Sequence, residues 1–238
     1  MTGVSNSFSG DLTVMNWTAI RLTLELALWT AVILLAVGLP IAYWLTYSRR
    51  RWKFLVESVV ALPLVLPPTV LGFYILVAIG PHSPLGRWYA ELVGHPLPFT
   101  FEGLLFASVL YSLPFAVQPF TSGFEQVDRR LIEASWTLGL SKLATFFKLI
   151  IPLSTAGIVT GFVLSFAHTL GEFGVVLMVG GNIEGVTRTV SIEIYDDVQS
   201  LNYAAAAKTA ALLLGISYLV LLGVYGVNRK MWAAWPQK

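Results

Sequence analysis

Five long apolar runs, separated by short polar intervals, set the plan of the chain. The runs cover residues 22–47, 54–79, 101–122, 153–179 and 204–227. Each reaches the roughly 20 residues that a helix needs to cross the hydrocarbon of a bilayer. Within them apolar side chains are continuous rather than alternating, which is the pattern of a spanning helix and not of a barrel strand. The expectation is an all-α integral membrane protein, a bundle of about five transmembrane helices. Polar intervals at 48–53, 80–100, 123–152 and 180–203 join the runs, and a tail follows from Asn228.

Composition supports this picture. Of 238 residues, 56% are hydrophobic and 12% charged, half the roughly 25% charged residues of a soluble domain. The absence of cysteine excludes disulfides and thiolate metal sites. Eight tryptophans and nine tyrosines suit interfacial belts. A net charge of +2 gives no reason to expect nucleic acid. Residues 1–17 have no basic n-region, so no cleavable signal is expected and the first span stays in the chain. With no internal repeat or low-complexity linker, residues 1–238 read as one transmembrane domain.

Charge placement orients the spans. Arg49, Arg50, Arg51 and Lys53 lie in the first interval. Arg129, Arg130, Lys142 and Lys148 lie in the third, and Arg229, Lys230 and Lys238 in the tail. These eleven of the fifteen basic residues fall on one side of a five-span bundle. The positive-inside rule then predicts an outside N-terminus and a cytoplasmic C-terminus.

The third interval is the most informative. Leu131, Ala134 and Leu138 recur at helical spacing beside Asp128, Arg129, Arg130 and Glu133, predicting a short amphipathic helix. Gly139 suits the positive φ that ends a helix. Ser141 suits the cap of a second helix through LATFFKLII, and Pro152 the first turn of the next span. The stretch 133–152, EASWTLGLSKLATFFKLIIP, resembles the EAA loop of ATP-binding cassette (ABC) importer permeases: E-A-A, three residues, G, nine residues, I-x-L-P. Glu133, Ala134 and Ser135 stand at the first three positions, Gly139 at the glycine, Leu149 and Ile151 at the aliphatics and Pro152 at the proline. Three of these depart mildly from the pattern: Ser135 for Ala, Leu149 for Ile and Ile151 for Leu.

The resemblance implies that segment 124–152 couples to a separate ATPase. Ala134 and Ser135 would allow close approach, Gly139 would make the turn, and Glu133 would help fix the helix. The alternative is an ordinary amphipathic segment lying on the membrane. No G-x-x-x-x-G-K-[ST] loop, nucleophile context or metal-binding cluster occurs, so no enzymatic activity, cofactor or metal is expected in this chain. The resemblance further implies two ATPase copies, a second permease copy and an external binding protein, with the chain in the cell inner membrane.

Two further stretches bear on cargo. ALPLVLPPTVLGFY, at 61–74, sets Pro63, Pro67 and Pro68 in the second run, where they kink a helix and free backbone carbonyls. The LGEFG core of 166–197 is similar to permeases for tetrahedral oxyanions, including the sulfate type. GNIEGVTRTVSIEIYDD looks like the molybdate permeases in particular, as does the short chain. Within LGEFG lie Gly171 and Glu172; His168 and Glu172 are the only ionisable residues well inside a predicted span, as an i, i+4 pair. They orient the span and its loop, line an oxyanion path, or relay protons. The resembled family usually has Arg where this chain has His168, and histidine carries no fixed positive charge. The expected function is import of molybdate, with tungstate as co-substrate. A sulfate or tungstate importer is the alternative, and a proton-coupled carrier that needs no ATPase is the rival of another class. The intervals at 80–100 and 180–203, with Glu91, Glu102, Glu184, Glu193, Asp196 and Asp197, are the expected docking surface for the binding protein. TVSIEIY, at 189–195, alternates like a strand, yet a short helix capped near Thr189 or Ser191 is expected.

Overall fold

A computed structural model describes residues 16–234, all of its regular elements helical. Residues 1–15 and 235–238, Lys238 among them, and the side chains of Arg229 and Lys230 lie outside the described residues. Helix α1 spans Trp17–Tyr47, capped by the Asn16 side chain accepting from the Ala19 amide at 3.2 Å. At 1.5 Å per residue its 31 residues extend about 46 Å, more than a bilayer core.

The second run is not a continuous span. It forms α2 (Lys53–Val65) and α3 (Pro68–Ile79), bent by 118°. Pro63 stays inside α2. Pro67 holds the preceding Leu66 at ψ 137°, outside the helical range, and Pro68 starts α3. The expected proline kink is therefore a full break. The interval after α3 holds a helix with no counterpart among the expected elements, α4 (Pro84–Val93). Ser83 caps it and Gly94, at φ 88°, ends it.

Helix α5 (Phe101–Glu125) crosses the bundle and is followed by α6 (Arg129–Thr137) and α7 (Lys142–Thr145). A π-helical turn at Phe146–Ile150 leads into the short α8 (Ile151–Leu153). Pro152 has no N–H to bond one α-turn back, and the wider i→i+5 turn absorbs that gap. The chain then bends by 75° into α9 (Thr155–Leu170). Pro152 thus opens the last turn before the bend, not the span itself. The fourth run is also broken: α9 stops at Leu170, and α10 (Gly174–Gly180) begins after three non-helical residues. The expected short helix forms, as α11 (Val190–Gln199), with Thr189 at the cap position but making no side-chain capping bond; α12 (Tyr203–Ala234) is the last element. Among the described residues, three helices are long and apolar enough to span a membrane alone, rising to five if each bent pair counts as one.

Small residues bring α5 and α9 together. A Cβ on Gly157 would lie 2.5 Å from the Pro119 carbonyl oxygen, and one on Gly161 would lie 2.5 Å from the Phe120 ring. This four-residue spacing of glycines lets two backbones meet, the common solution where lipid removes the hydrophobic drive between helices. The main core gathers at one end, from Leu34, Ala42, Val60, Val117, Phe120 and Phe124. Ile132 of α6 and Ile150 of the π-turn belong to the same cluster.

Candidate functional site

Two constellations carry the residues singled out above. The first is the projection between α5 and α9. Asp128 Oδ1 accepts from the Arg130 amide at 2.9 Å and starts α6. Its other end is a Schellman motif: the Leu140 amide donates to the Ser135 carbonyl at 3.0 Å, and the Gly139 amide to the Trp136 carbonyl at 2.9 Å. Gly139 has φ 86°, and nothing lies within 4 Å of where its Cβ would be. The requirement for glycine there is one of backbone alone. Ser141 Oγ then caps α7 from the Ala144 amide.

Burial divides the EAA residues. Glu133 and Ala134 are exposed, whereas Ser135 faces inward. The Ser135 hydroxyl donates to the Ile132 carbonyl at 2.7 Å and meets the buried Thr145 hydroxyl at 2.9 Å, tying α6 to α7 across the turn. Glu133 forms no side-chain hydrogen bond or ion pair within the described residues, so the caps and the Ser135–Thr145 pair, rather than its carboxylate, hold α6 in place. Leu149 and Ile151 pack against the main core, and Pro152 is exposed. Leu131, Trp136, Leu138, Leu143 and Phe147 leave apolar surface uncovered, with Leu138 81% exposed. The projection is rooted in the core and ends in an apolar face.

The second constellation sits where the two broken runs meet. Gly171, Glu172 and Phe173 form the break between α9 and α10, so Glu172 lies just beyond the helix that carries His168. The Glu172 side chain is fully buried. It accepts from Ser108 at 2.6 Å and from Ser112 at 2.7 Å, two hydroxyls four residues apart on α5. The Ser112 oxygen also lies 2.9 Å from His168 Nδ1. A hydroxyl has one proton, so if Ser112 gives it to Glu172, the histidine contact is one in which Nδ1–H donates. His168 stacks on Phe115 with ring centroids 3.8 Å apart and tilts against Tyr111 at 4.7 Å. Across the break, Pro68 packs on Gly174, and Gly72 of α3 on Met178 of α10. The structure therefore gathers His168, Gly171, Glu172 and Pro68 in one region, with Pro67 beside it at the start of α3 and Pro63 buried within α2. Ser108 and Ser112 were not singled out from sequence; the signal available was a pair of small polar residues one helical turn apart in an apolar run.

Glu25 and Glu57, near the ends of their spans, are answered locally. Glu25 pairs with Arg21 at 2.7 Å and Glu57 with Lys53 at 3.5 Å. In the interval around α11, Arg188 bonds Asn182 and pairs with Glu184 and Asp196. Glu193 is different. Its Oε2 has no hydrogen-bond partner among the described residues, and burial, with negative Asp197 nearby, pushes its carboxyl up to about 7. A folded-state value above the ordinary 4.5 means that ionised Glu193 costs stability. That cost is absent at low pH, grows between about 4.5 and about 7, and is complete above. Glu193→Gln, which mimics the protonated form, is expected to raise the melting temperature at pH 8 and to leave it nearly unchanged at pH 4.5. Thermal unfolding of the detergent-solubilised chain at the two pH values checks this.

Comparison with known proteins gives a consistent family. Residues 35–232 match the model of the binding-protein-dependent transport system inner membrane component. The chain is 53% identical over 211 residues to the molybdenum transport system permease protein ModB of Azotobacter vinelandii, covering 89% of this chain and 93% of that one. The corresponding protein of Escherichia coli K12 is 33% identical over 89% and 93%. A probable sulfate transport system permease protein of Chlorella vulgaris is 31% identical over 86% and 76%. Among solved structures, an inward-facing MetNI methionine ABC transporter superposes with a TM-score of 0.68 at 17% identity, over 89% of this chain and 94% of that one. A bacterial alginate ABC transporter, in complex with a periplasmic protein, gives 0.72 at 13%, over 94% and 81%. The fold is that of ABC importer permeases, and the chain belongs to the multi-pass inner membrane components of binding-protein-dependent transport systems.

Proposed function

We propose that the chain is the membrane-spanning subunit of an ATP-driven importer that carries molybdate, and tungstate with it, into the cytoplasm. The observation that carries the cargo assignment is the 53% identity to a molybdenum permease over nearly the whole chain. In this reading the chain is a single transmembrane domain with its N-terminus outside. The projection 124–152 faces the cytoplasm, where its apolar face seats in an ATPase subunit. Two such subunits and a second permease copy complete the transporter, and an external binding protein docks on the opposite face and delivers the anion.

The geometry supports a mechanical route from ATPase to pathway. Ile132 and Ile150 lie in the same core as Phe120 and Phe124, so displacement of the projection moves the ends of α5 and α9 with it. The breaks at Leu66–Pro67 and Gly171–Phe173 divide the bundle into segments that can rock against one another. Glu172 enters this scheme as a positioning residue: its carboxyl bonds Ser108 and Ser112, and so is turned away from an anionic cargo. The path then offers hydroxyls, backbone dipoles and the His168 ring, which pass a dianion without holding it tightly. Selectivity falls to the binding protein.

Uptake of radiolabelled molybdate by cells expressing the complete transporter tests the assignment. Excess tungstate is expected to compete strongly and excess sulfate weakly. Efficient competition by sulfate would replace molybdate with sulfate as the cargo. Uptake driven by a proton gradient without ATP would contradict the ATP-driven reading.

A further inference from the structure

The turn between α1 and α2 has a surface that neither coupling nor translocation uses. Ser48 to Lys53 reads SRRRWK, and Arg49, Arg50 and Arg51 are all exposed. Within the described residues none of the three guanidinium groups forms a salt bridge or donates a side-chain hydrogen bond. Lys53, by contrast, is answered by Glu57 at 3.5 Å and by the Leu45 carbonyl at 3.4 Å.

The turn is nonetheless organised. Trp52 packs against Trp44 with ring centroids 5.1 Å apart, and the Arg50 guanidinium carbon lies 5.6 Å from the centre of the Trp52 ring. Tyr47 ties the end of α1 to the end of α5 through its hydroxyl and the Phe124 carbonyl at 3.0 Å. Apolar surface flanks the cations: Trp52 is 45%, Phe54 58% and Leu55 53% exposed. Three guanidinium groups without an ion pair or hydrogen bond among the described residues therefore sit directly after a spanning helix, beside an indole and two apolar side chains. A bilayer boundary presents the complementary order, with phosphates at the level of the cations and acyl chains below them. Guanidinium also suits phosphate oxygens, since its planar fork donates to two at once.

We infer that the Arg49–Arg51 turn, with Trp52, Phe54 and Leu55, is a binding surface for the phosphate headgroups of anionic lipids. Arginine charge selects the headgroup, and the aromatic and aliphatic side chains enter the layer beneath it. The contact holds the end of α1 and the start of α2 at a fixed depth, next to the 118° bend into α3.

Tryptophan quenching tests the inference. The full-length chain is placed in nanodiscs of phosphatidylcholine containing brominated phosphatidylglycerol or, at the same mole fraction, brominated phosphatidylcholine. The Trp52 share of the signal is the difference between the wild type and Trp52→Phe. That share is expected to be quenched at least about threefold more strongly by the anionic lipid, since each cation near an anionic surface adds to the attraction. High salt is expected to reduce the preference. In the combined variant R49Q/R50Q/R51Q the ratio is expected to fall to about one, and in R50Q alone to an intermediate value. Equal quenching of the Trp52 share by the two lipids would overturn the inference, and this arm needs only the conservative Trp52→Phe to fold. So would an unchanged preference in the triple variant, or no quenching by either lipid, the result if a protein covers the turn.

Discussion

Replacing Glu172 with alanine is expected to reduce molybdate uptake at least about tenfold, the factor that accompanies each ~1.4 kcal/mol lost from a required arrangement. The side chain is fully buried and both of its oxygens are used, one by Ser108 and one by Ser112. Removing it leaves the Ser108 hydroxyl without its acceptor, at about 1–3 kcal/mol, leaves Ser112 with only His168 and Thr169, and empties the space the carboxyl filled. The break between α9 and α10 then loses its hydrogen-bonded attachment to α5 and keeps the apolar packing of Phe173. Glu172→Gln keeps the shape and one acceptor oxygen, and is expected to lie between alanine and the wild type. His168→Ala gives the contrast. It removes the stack on Phe115 and one contact to Ser112 but leaves both serine–carboxyl bonds in place, so it should cost less in melting temperature than Glu172→Ala. A proton relay predicts another order, with His168→Ala abolishing transport outright. Uptake and thermal unfolding of the three variants, measured side by side, separate the two roles.

The second large effect is expected at Gly139. The turn there needs φ 86° in a position with open space around it, so any penalty comes from the backbone and not from a clash. Gly139→Val should cost about 1–2 kcal/mol through a left-handed conformation that a β-branched residue resists. The Schellman bonds from Leu140 and Gly139 would loosen, and α6 would lose its fixed angle to α7. The expected phenotype is an assembled complex that hydrolyses ATP without moving anion. Gly139→Asn should recover much of the transport, because asparagine tolerates positive φ. Equal failure of Val and Asn would mean that the bare surface of the glycine, and not its conformation, is what the partner needs.

How much of this was legible in the sequence depends on the length scale of each feature. Five apolar runs report that the chain enters a bilayer, because burial in lipid demands continuous apolarity whatever the helix does inside it. Direction is another matter. Hydropathy is blind to a change of axis, so 54–79 and 153–179 read as single spans although each is broken. Pro67 and Pro68 marked the first break as a kink without its 118° angle. The second hid in LGEFG, where a carboxyl held by α5 substitutes for helical continuity. Helix α4 was signalled locally, by Ser83-Pro84 at its start and Gly94 at its end, and was passed over inside a polar interval. The strand-like alternation of TVSIEIY yielded to packing: Val190 and Ile192 are buried two residues apart on α11, Val190 in a cluster with Ala19 and Ile20 of α1, Ile192 in one with Leu22 and Leu26 of α1, Leu104 of α5 and Val176 of α10.

The projection was the most readable part, because caps, positive-φ glycine and proline are instructions to the nearest few residues. Its inward contacts were not. Ser135 occupies a position expected to face a partner, and instead bonds Thr145, ten residues on. Ser108 and Ser112 stand one helical turn apart in an apolar run, but that spacing alone does not say that Glu172 is what they hold.

The seat of the ATPase on the projection is tested most directly by cross-linking. The chain contains no cysteine, so a single Ala134→Cys places one thiol on the exposed face of α6. A control at Glu184→Cys places one in the interval before α11. With a short thiol-reactive cross-linker in the assembled transporter, Ala134→Cys is expected to join the ATPase subunit, with a yield that changes when ATP is added, and Glu184→Cys is expected not to. Free labelling of Ala134→Cys with no link to the ATPase, or a link formed only from Glu184→Cys, would contradict the coupling role.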